Sequence, residues 1–560
     1  MLNYQLIKNS LQLDCAGKWL VKDSEDDFFP DALNFSDISQ HLSKYISQRE
    51  HRLLQLDSLP HLVDSVPKSN GMLREAVWLH PTHRLLYLGV LHYLLPKLDH
   101  HLPPEVYSYR KDRADQDQYP FPDKMGRWKI FHNDFRQACL DEQTKAVLIT
   151  DIASFYDHIR TEEMCNRIRT MLGDGGSRTD FAIVDFLDAL LRQWSTNGYG
   201  IPQNVDASSF FGSLFLSGVD REILDKRYRY FRWVDDIRIC AGNKKQATRA
   251  LHDLQNALAR HRLFLASDKT KIILKGTKEF EQLLDVTDDS YISRLEDVVA
   301  RGSRNEIKEE IPKAQERLEF HAGLDGDDRK FRAFANRLIQ IGEYKEFRKQ
   351  VHDHLSPFVY SKLETYPNKS DYWSKMLQED TSGHWREHVD KLLRADPSIY
   401  NWQRFYLWKL LTAQENISPD LLARAKSTIN NPISDLEAYQ AIICIGRHGD
   451  SQTREALFVQ YFSPQRSYPI QRAILIAMQE IERSSRDRFY ERALQTCPEH
   501  SQLVEYLKGL NTPLYGIKLR AQRDLPAQPR EVKVELLRGV GKVNGEVIRY
   551  RLSRADYDYE

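Results

Sequence analysis

Two adjacent carboxylates, Asp235 and Asp236, interrupt the stretch "YFRWVDDIRI" (230–239), between an aromatic and basic run and a short apolar run. Like charges this close repel, so a fold that keeps both must supply cations. An isolated pair in a turn would be no more than hydrated acid; this one has company. The flanks read as two short strands hinged at the pair. Upstream, in "KAVLITDIASFYDHI", the β-branched run "VLIT" breaks off at Asp151 and gives way to a helical segment, so a strand ends in a carboxylate. Antiparallel pairing would bring Asp151, Asp235 and Asp236 to one sheet edge. Hard Mg²⁺ prefers such oxygen donors. Two ions about 4 Å apart, with Mn²⁺ as the alternative metal, can activate a 3′-hydroxyl and stabilise a leaving pyrophosphate.

The surrounding pattern is α+β. "DFAIVDFLDALLRQW" (180–194) is an amphipathic helix, "STNGYGIPQNVDASS" a Gly- and Pro-marked loop, and "FFGSLFLSGVDREILDKRY" a second helix. "KKQATRALHDLQNALARH" reads as a helix and "LFLASDKTKIILKG" as a hairpin-like pair of strands. Before this block, 72–100 reads as a packed helix stopped by a Pro pair and 105–145 as a polar connector. Residues 1–70 show only mixed helical patterning around an acidic, loop-like stretch, "DSEDDFFPD".

Composition narrows the classes. A chain of 560 residues with 41% apolar and 29% charged residues can bury large cores, and the length suggests two to four domains. No apolar run approaches the roughly 20 residues that cross a bilayer, and the first residues lack the pattern of a secretory signal. A bacterial cytoplasmic location without a membrane partner is the expectation. Six scattered cysteines fit reduced thiols better than a disulfide framework. Net charge is zero, but residues 226–278 hold 14 Lys and Arg against 4 Asp, a local excess of +10. That asymmetry suits a polyanion partner, although a solvated helix face would also produce it.

Taken in order, the motifs resemble those of reverse transcriptases. The similarity is to the defence-associated (abortive-infection, AbiK-like) bacterial branch, related to group II intron reverse transcriptases. "VPKSNGMLREAV" resembles the fingers hairpin, where Lys68 and Arg74 would hold the triphosphate, and "VYSYRKD" the block with a family arginine, here Arg110. "DIASFYDHI" resembles the first catalytic block, with Asp151 as metal ligand and Tyr156 as the bulky residue screening the sugar 2′ carbon. "GIPQNVDASSFFGSLFLSGVD" resembles the Pro-Gln-Gly block, placing Gln203 along the incoming nucleotide. "FRWVDDIRI" supplies the Tyr-x-Asp-Asp block, and "ASDKTKIIL" the later Lys-Thr block, with Lys269 as proton donor to pyrophosphate. Two positions depart from the pattern. Trp233 replaces a Tyr, keeping an apolar platform for the primer end, and Asn204 replaces a Gly, tolerating left-handed backbone better than most residues.

The resemblance implies a right-hand polymerase fingers-palm core over 61–285, preceded by an N-terminal extension, 1–60. From 286 to 530 the chain reads as all-α, with the clusters "AIICIG" and "AILIAM" about 33 residues apart, a spacing suited to HEAT-like helix pairs; 531–560 is a tail. For the AbiK-like group the resemblance further implies antiphage activity, untemplated DNA synthesis from dNTPs, priming from a protein hydroxyl to which the DNA product stays attached, and homo-oligomers. Tyr4, Tyr557 and Tyr559 are the terminal tyrosines available. Two alternatives stay open: an RNA-templated enzyme with its own noncoding RNA, and a catalytically silent polymerase fold used as a scaffold.

Overall fold

The computed structural model describes residues 4–25, 27–49, 59, 61–111, 120–121, 124–323, 328–378, 380, 382–394, 400–430, 432–510, 542–543 and 546–547. Tyr557 and Tyr559 lie outside them. Two compact units result: Met1–Val63 with Ala76–Asp285, and Asp64–Glu75 with Val286–Glu560.

Up to residue 285 the elements are, in chain order, α1 (Tyr4–Ser10), α2 (Leu13–Glu25), α3 (Ser36–Gln40), α4 (Leu42–Gln48), β1 (Leu62–Pro67), β2 (Leu73–Trp78), α5 (Pro81–Leu98), α6 (Lys124–Leu140), β3 (Ala146–Asp151), α7 (Phe155–His158), α8 (Thr161–Leu172), α9 (Arg178–Trp194), α10 (Asp206–Asp225), β4 (Arg229–Trp233), β5 (Asp236–Ala241), α11 (Lys244–Ala259), β6 (Lys271–Leu274) and α12 (Lys278–Leu284).

The first unit is built on a four-stranded antiparallel sheet of order β4-β5-β3-β6. β3 is central and flanked by helices on both faces, which is why "AVLI" is apolar without alternation. One face carries Phe231, Cys240 and Val147 and is covered by Phe131, Phe135 and Ala138 of α6 and Phe280 of α12. Against the other lies α11, whose buried Ala247, Ala250, Leu254 and Leu258 recur at helical spacing. α5 is buried nearly all round, and Gly89 admits the close approach of α2: a Cβ there would meet Leu13 at 3.0 Å.

Three sequence expectations need correction. Of the stretch 72–100 only Pro81–Leu98 is α-helix, because Leu73–Trp78 pairs with Leu62–Pro67 as a strand. The supposed connector 105–145 contains the 17-residue helix α6; its polar surface masks the stripe Phe131, Phe135 and Ala138 that packs on the sheet. In "LFLASDKTKIILKG" only β6 is a strand, while Leu265 makes one isolated bridge to Ile152. Arg262 has left-handed backbone (φ 56°), and a turn fills 267–269, so that half does not extend as a strand.

Among its described residues the second unit is helical apart from the Asp64–Glu75 segment and a short antiparallel pair, Lys542–Val543 with Glu546–Val547. Asn401–Thr412, Asp435–His448 and Tyr468–Ala477 pack in succession and are almost wholly buried. Between them run the more exposed Pro419–Asn430 and Ser451–Tyr461. Inside this unit Asn401 donates to Asp64 (3.3 Å), and the Ser434 hydroxyl donates to the same carboxylate while capping Asp435–His448. Among the described residues no helix is long and apolar enough to cross a membrane.

Candidate active site

The site begins with strand register. β3 and β5 align Asp151 with Asp236, and β4 and β5 align Trp233 with Asp236, leaving Val234 and Asp235 as a two-residue turn. Val234 sits at φ 50°, a conformation that costs a β-branched residue on the order of 1–3 kcal/mol. The surroundings impose it. Arg232 donates to the Val234 carbonyl (2.7 Å), and the Val234 N–H donates to the Ser108 hydroxyl (2.9 Å). Arg232 is itself fixed by a fully buried double bond to Asp220 (2.7 Å each), which also accepts from the Tyr230 hydroxyl (2.7 Å). These buried charges are matched in place, so the turn rests on a neutral support.

The three carboxylates are differently placed. Asp151 accepts from Lys269 Nζ at 2.6 Å; burial pushes its carboxyl above the ordinary range against the pull of Lys269. Burial would lower the Lys269 ammonium, but the bond to Asp151 and the charges of Asp151, Asp235 and Asp268 together outweigh it and hold the group above its usual value. Asp236 is gripped by Arg238, two residues on along the same strand face (2.7 and 3.4 Å). Asp235 has no such cation: burial, with Asp151 adding to it, pushes its carboxyl up to about 7. Among the described residues no three His, Cys, Asp or Glu side chains stand together as a metal cluster. The donor set nevertheless suits Mg²⁺: all its atoms are carboxylate oxygens, two of the carboxylates already hold a cation, and the third is left unbalanced.

Tyr156 and Gln203 lie on two segments that are joined to each other beside this turn. The Tyr156 hydroxyl bonds the Ser209 hydroxyl of α10 (2.8 Å), and burial, followed by the nearby Asp235 charge, pushes its phenol well up. Ile201 N–H donates to the Tyr156 carbonyl (3.1 Å), fastening the 200–204 loop to this segment. Gln203 is half-buried there, and Asn204 adopts φ 63°, the left-handed turn for which Gly is the commoner choice.

Other sequence candidates lie on other segments of the chain. Lys68 and Arg74 lie on the β1–β2 hairpin, in the segment grouped with the helical unit, where Lys68 N–H and Met72 carbonyl close the turn (2.7 Å). Arg110 is committed to Asp99 (3.0 Å) and to the carbonyls of Asp99, Leu102, Pro103 and Val106. Its guanidinium therefore staples the loop that presents Ser108 to the turn, in place of a triphosphate. Trp233, expected beneath a primer end, packs against Trp128 (ring centroids 5.1 Å) and Phe131 of α6. The basic segment is also less free than its count suggests. Lys226, Arg229, Arg232, Arg238, Arg260 and Lys269 all face carboxylates.

With this geometry in hand, comparison with known proteins is informative for the first unit. Residues 80–309 match the family model described as reverse transcriptase (RNA-dependent DNA polymerase). This segment is a reverse transcriptase domain. It contains Asp151, Tyr156, Gln203, Asp235, Asp236 and Lys269, and it excludes Lys68 and Arg74. No curated protein matches the chain. Among solved structures, the telomerase of Candida albicans in complex with a TWJ fragment of telomeric RNA aligns at 10% identity and TM-score 0.30, over 84% of this chain and 68% of that one. So loose a superposition carries no argument. Sequence reasoning missed the support of this domain: Asp220, Arg232, Ser108, Ser209 and Arg238. Arg232 was visible only as part of a basic run, whereas a charge between Phe231 and Trp233 in a strand is a signal of a buried, paired group.

Proposed function

We propose that the reverse transcriptase domain performs nucleotidyl transfer, joining dNTPs into DNA. The observation that carries this is the pairing of Asp151 with Asp236 in register, next to a turn that holds Asp235 without a cation of its own. Asp151, Asp235 and Asp236 would hold Mg²⁺, or Mn²⁺, which when bound acidifies the attacking hydroxyl and neutralises the leaving pyrophosphate. Tyr156, immobilised through Ser209, would exclude a ribose 2′-hydroxyl by volume. Gln203 would lie along the nucleotide, and Lys269, once released from Asp151, would give its proton to pyrophosphate. Lys68 and Arg74 enter as triphosphate contacts on motif resemblance alone, while Arg110 acts as the staple of the Ser108 loop.

The wider role we infer is antiphage defence of the abortive-infection kind, with untemplated, protein-primed synthesis and a homo-oligomeric enzyme. It is supported by the order of the motifs, by Trp233 and Asn204, and by the helical second unit. The repeat character of that unit is supported by buried helices that begin at Asn401, Asp435 and Tyr468.

Purified protein treated with nuclease and then extracted with phenol tests the proposal in the presence of Mg²⁺ and labelled dNTPs. Labelled DNA partitioning with protein until proteolysis is the expected result. A discrete co-purifying RNA that dictates product sequence would replace untemplated by RNA-templated synthesis. No incorporation under any condition would leave only a silent scaffold.

A further inference from the structure

Gln203 shortly precedes α10, whose Ser209 holds Tyr156, and the start of that helix lacks a side-chain cap of its own. Its N-cap position is Val205, extended at φ −126°, ψ 126°, with no side-chain oxygen to offer the first helical amides. The missing acceptor comes from α2. Asp23 Oδ1 accepts the Asp206 N–H at 3.0 Å, across 183 positions of sequence, and Asp206 in turn accepts from Trp19 Nε1 at 2.8 Å. Asp23 is 5% exposed, and its negative charge faces the positive end of α10.

Arg84 of α5, 1% exposed, locks this arrangement. Its Nε donates to Asp23 Oδ2 (2.5 Å), its Nη1 to Asp27, and its Nη2 to the Asp23 carbonyl (2.6 Å) and the Asn204 carbonyl (3.4 Å). One guanidinium therefore ties the N-terminal helix to the Asn204 turn, directly beside Gln203. One turn into α10, the hydroxyls of Ser208 and Ser209 meet Tyr87 (3.1 Å) and Tyr156 (2.8 Å).

We propose that Asp23 and Arg84 are positioning residues: α2 caps α10 in trans and thereby sets the Gln203–Ser209 segment of the nucleotide site. The proposal rests on the nucleotidyl-transfer reading above. The N-terminal segment is then a working part of the polymerase domain, and its loss or displacement would loosen nucleotide binding without touching the carboxylates.

The test compares full-length wild type, Asp23→Ala, and Asp23→Ala combined with Val205→Thr, which gives α10 a local cap. Hydrogen exchange of peptides covering 203–209 and steady-state dNTP incorporation with Mg²⁺ are measured on each. In Asp23→Ala, exchange over 203–209 should quicken and the dNTP KM should rise, each about tenfold, the scale of a lost helix cap, with kcat changed less than about twofold. Val205→Thr should reverse most of both. If Asp23→Ala does not fold, Asp23→Asn, which keeps an acceptor oxygen but loses the charge, should show the same pattern at about threefold. Unchanged exchange over 203–209, or a fall in kcat at constant KM, would overturn the proposal. Wild type that incorporates no dNTP overturns nucleotidyl transfer instead, and exchange alone then decides whether the trans cap exists.

Discussion

Two sets of aspartates in the first unit are treated in opposite ways. Asp220 and Asp23 are buried against arginines that match their charge with direct hydrogen bonds. Asp235 forms no direct ion pair among the described residues and sits beside Asp151, so its carboxyl is pushed up to about 7 by burial and by that neighbour, against the weaker pull of Lys269. Charge is neutralised where rigidity is needed and left unbalanced at one turn, and under the proposed nucleotidyl transfer that turn is where a cation from outside would bind. The difference separates support from chemistry more sharply than burial does, because both sets are shielded from water.

The comparison breaks most visibly if the carboxylates of the turn prove dispensable. Replacing Asp235 and Asp236 by Ala should abolish dNTP incorporation while the far-ultraviolet circular dichroism stays that of wild type; retained incorporation would remove the carboxylates from the chemistry. Next in size is the matched set. Asp220→Asn leaves Arg232 buried without its counter-charge and should lower unfolding free energy by about 3–5 kcal/mol in denaturant titrations. A loss well under 1 kcal/mol would show that water or another carboxylate replaces the partner.

The smallest effect sharpens the comparison through pH. The folded pKa of Asp235 lies above the unfolded value of about 3.9, so its protonation favours the folded state below that value, and the benefit is lost as pH rises towards about 7. Without divalent metal, Asp235→Asn should therefore melt above wild type at pH 8, with the margin closing by about pH 4. Added Mg²⁺ should erase the margin at pH 8, because a bound cation favours ionised Asp235. A margin that does not depend on pH would mean that the carboxyl is not strained by its surroundings.

How much of this was legible in the sequence follows from the range of the interactions. The strand ending at Asp151 and the hinge at Asp235 announced themselves through β-branched runs and a turn, which are local signals. Helix α6 did not, because Arg127, Lys129, Asn133 and Asp134 dilute its apolar stripe and the stretch reads as a connector. Trp233 shows a subtler point. Its position in the motif suggests a platform for a primer, and packing adds what the motif does not say, that the half-buried ring rests against Trp128. The basic count over 226–278 was correct as arithmetic, but it hid the pairing of several of these residues, four of whose carboxylate partners, Asp141, Asp151, Asp220 and Glu222, lie outside the segment.

By itself the sequence determined the strand ends, the turn and the residue types of the site, because periodicity, turn residues and charge adjacency are written within a few positions. The tertiary structure decided which charges stay unbalanced and what holds the Gln203–Ser209 segment beside them. The acidic stretch from Asp23 to Asp27 looked like a loop with nothing to say; folded, it reaches Arg84 and Asp206. No local pattern encodes such a cap, because acceptor and helix lie 183 positions apart and meet only through the packing of α2, α5 and α10.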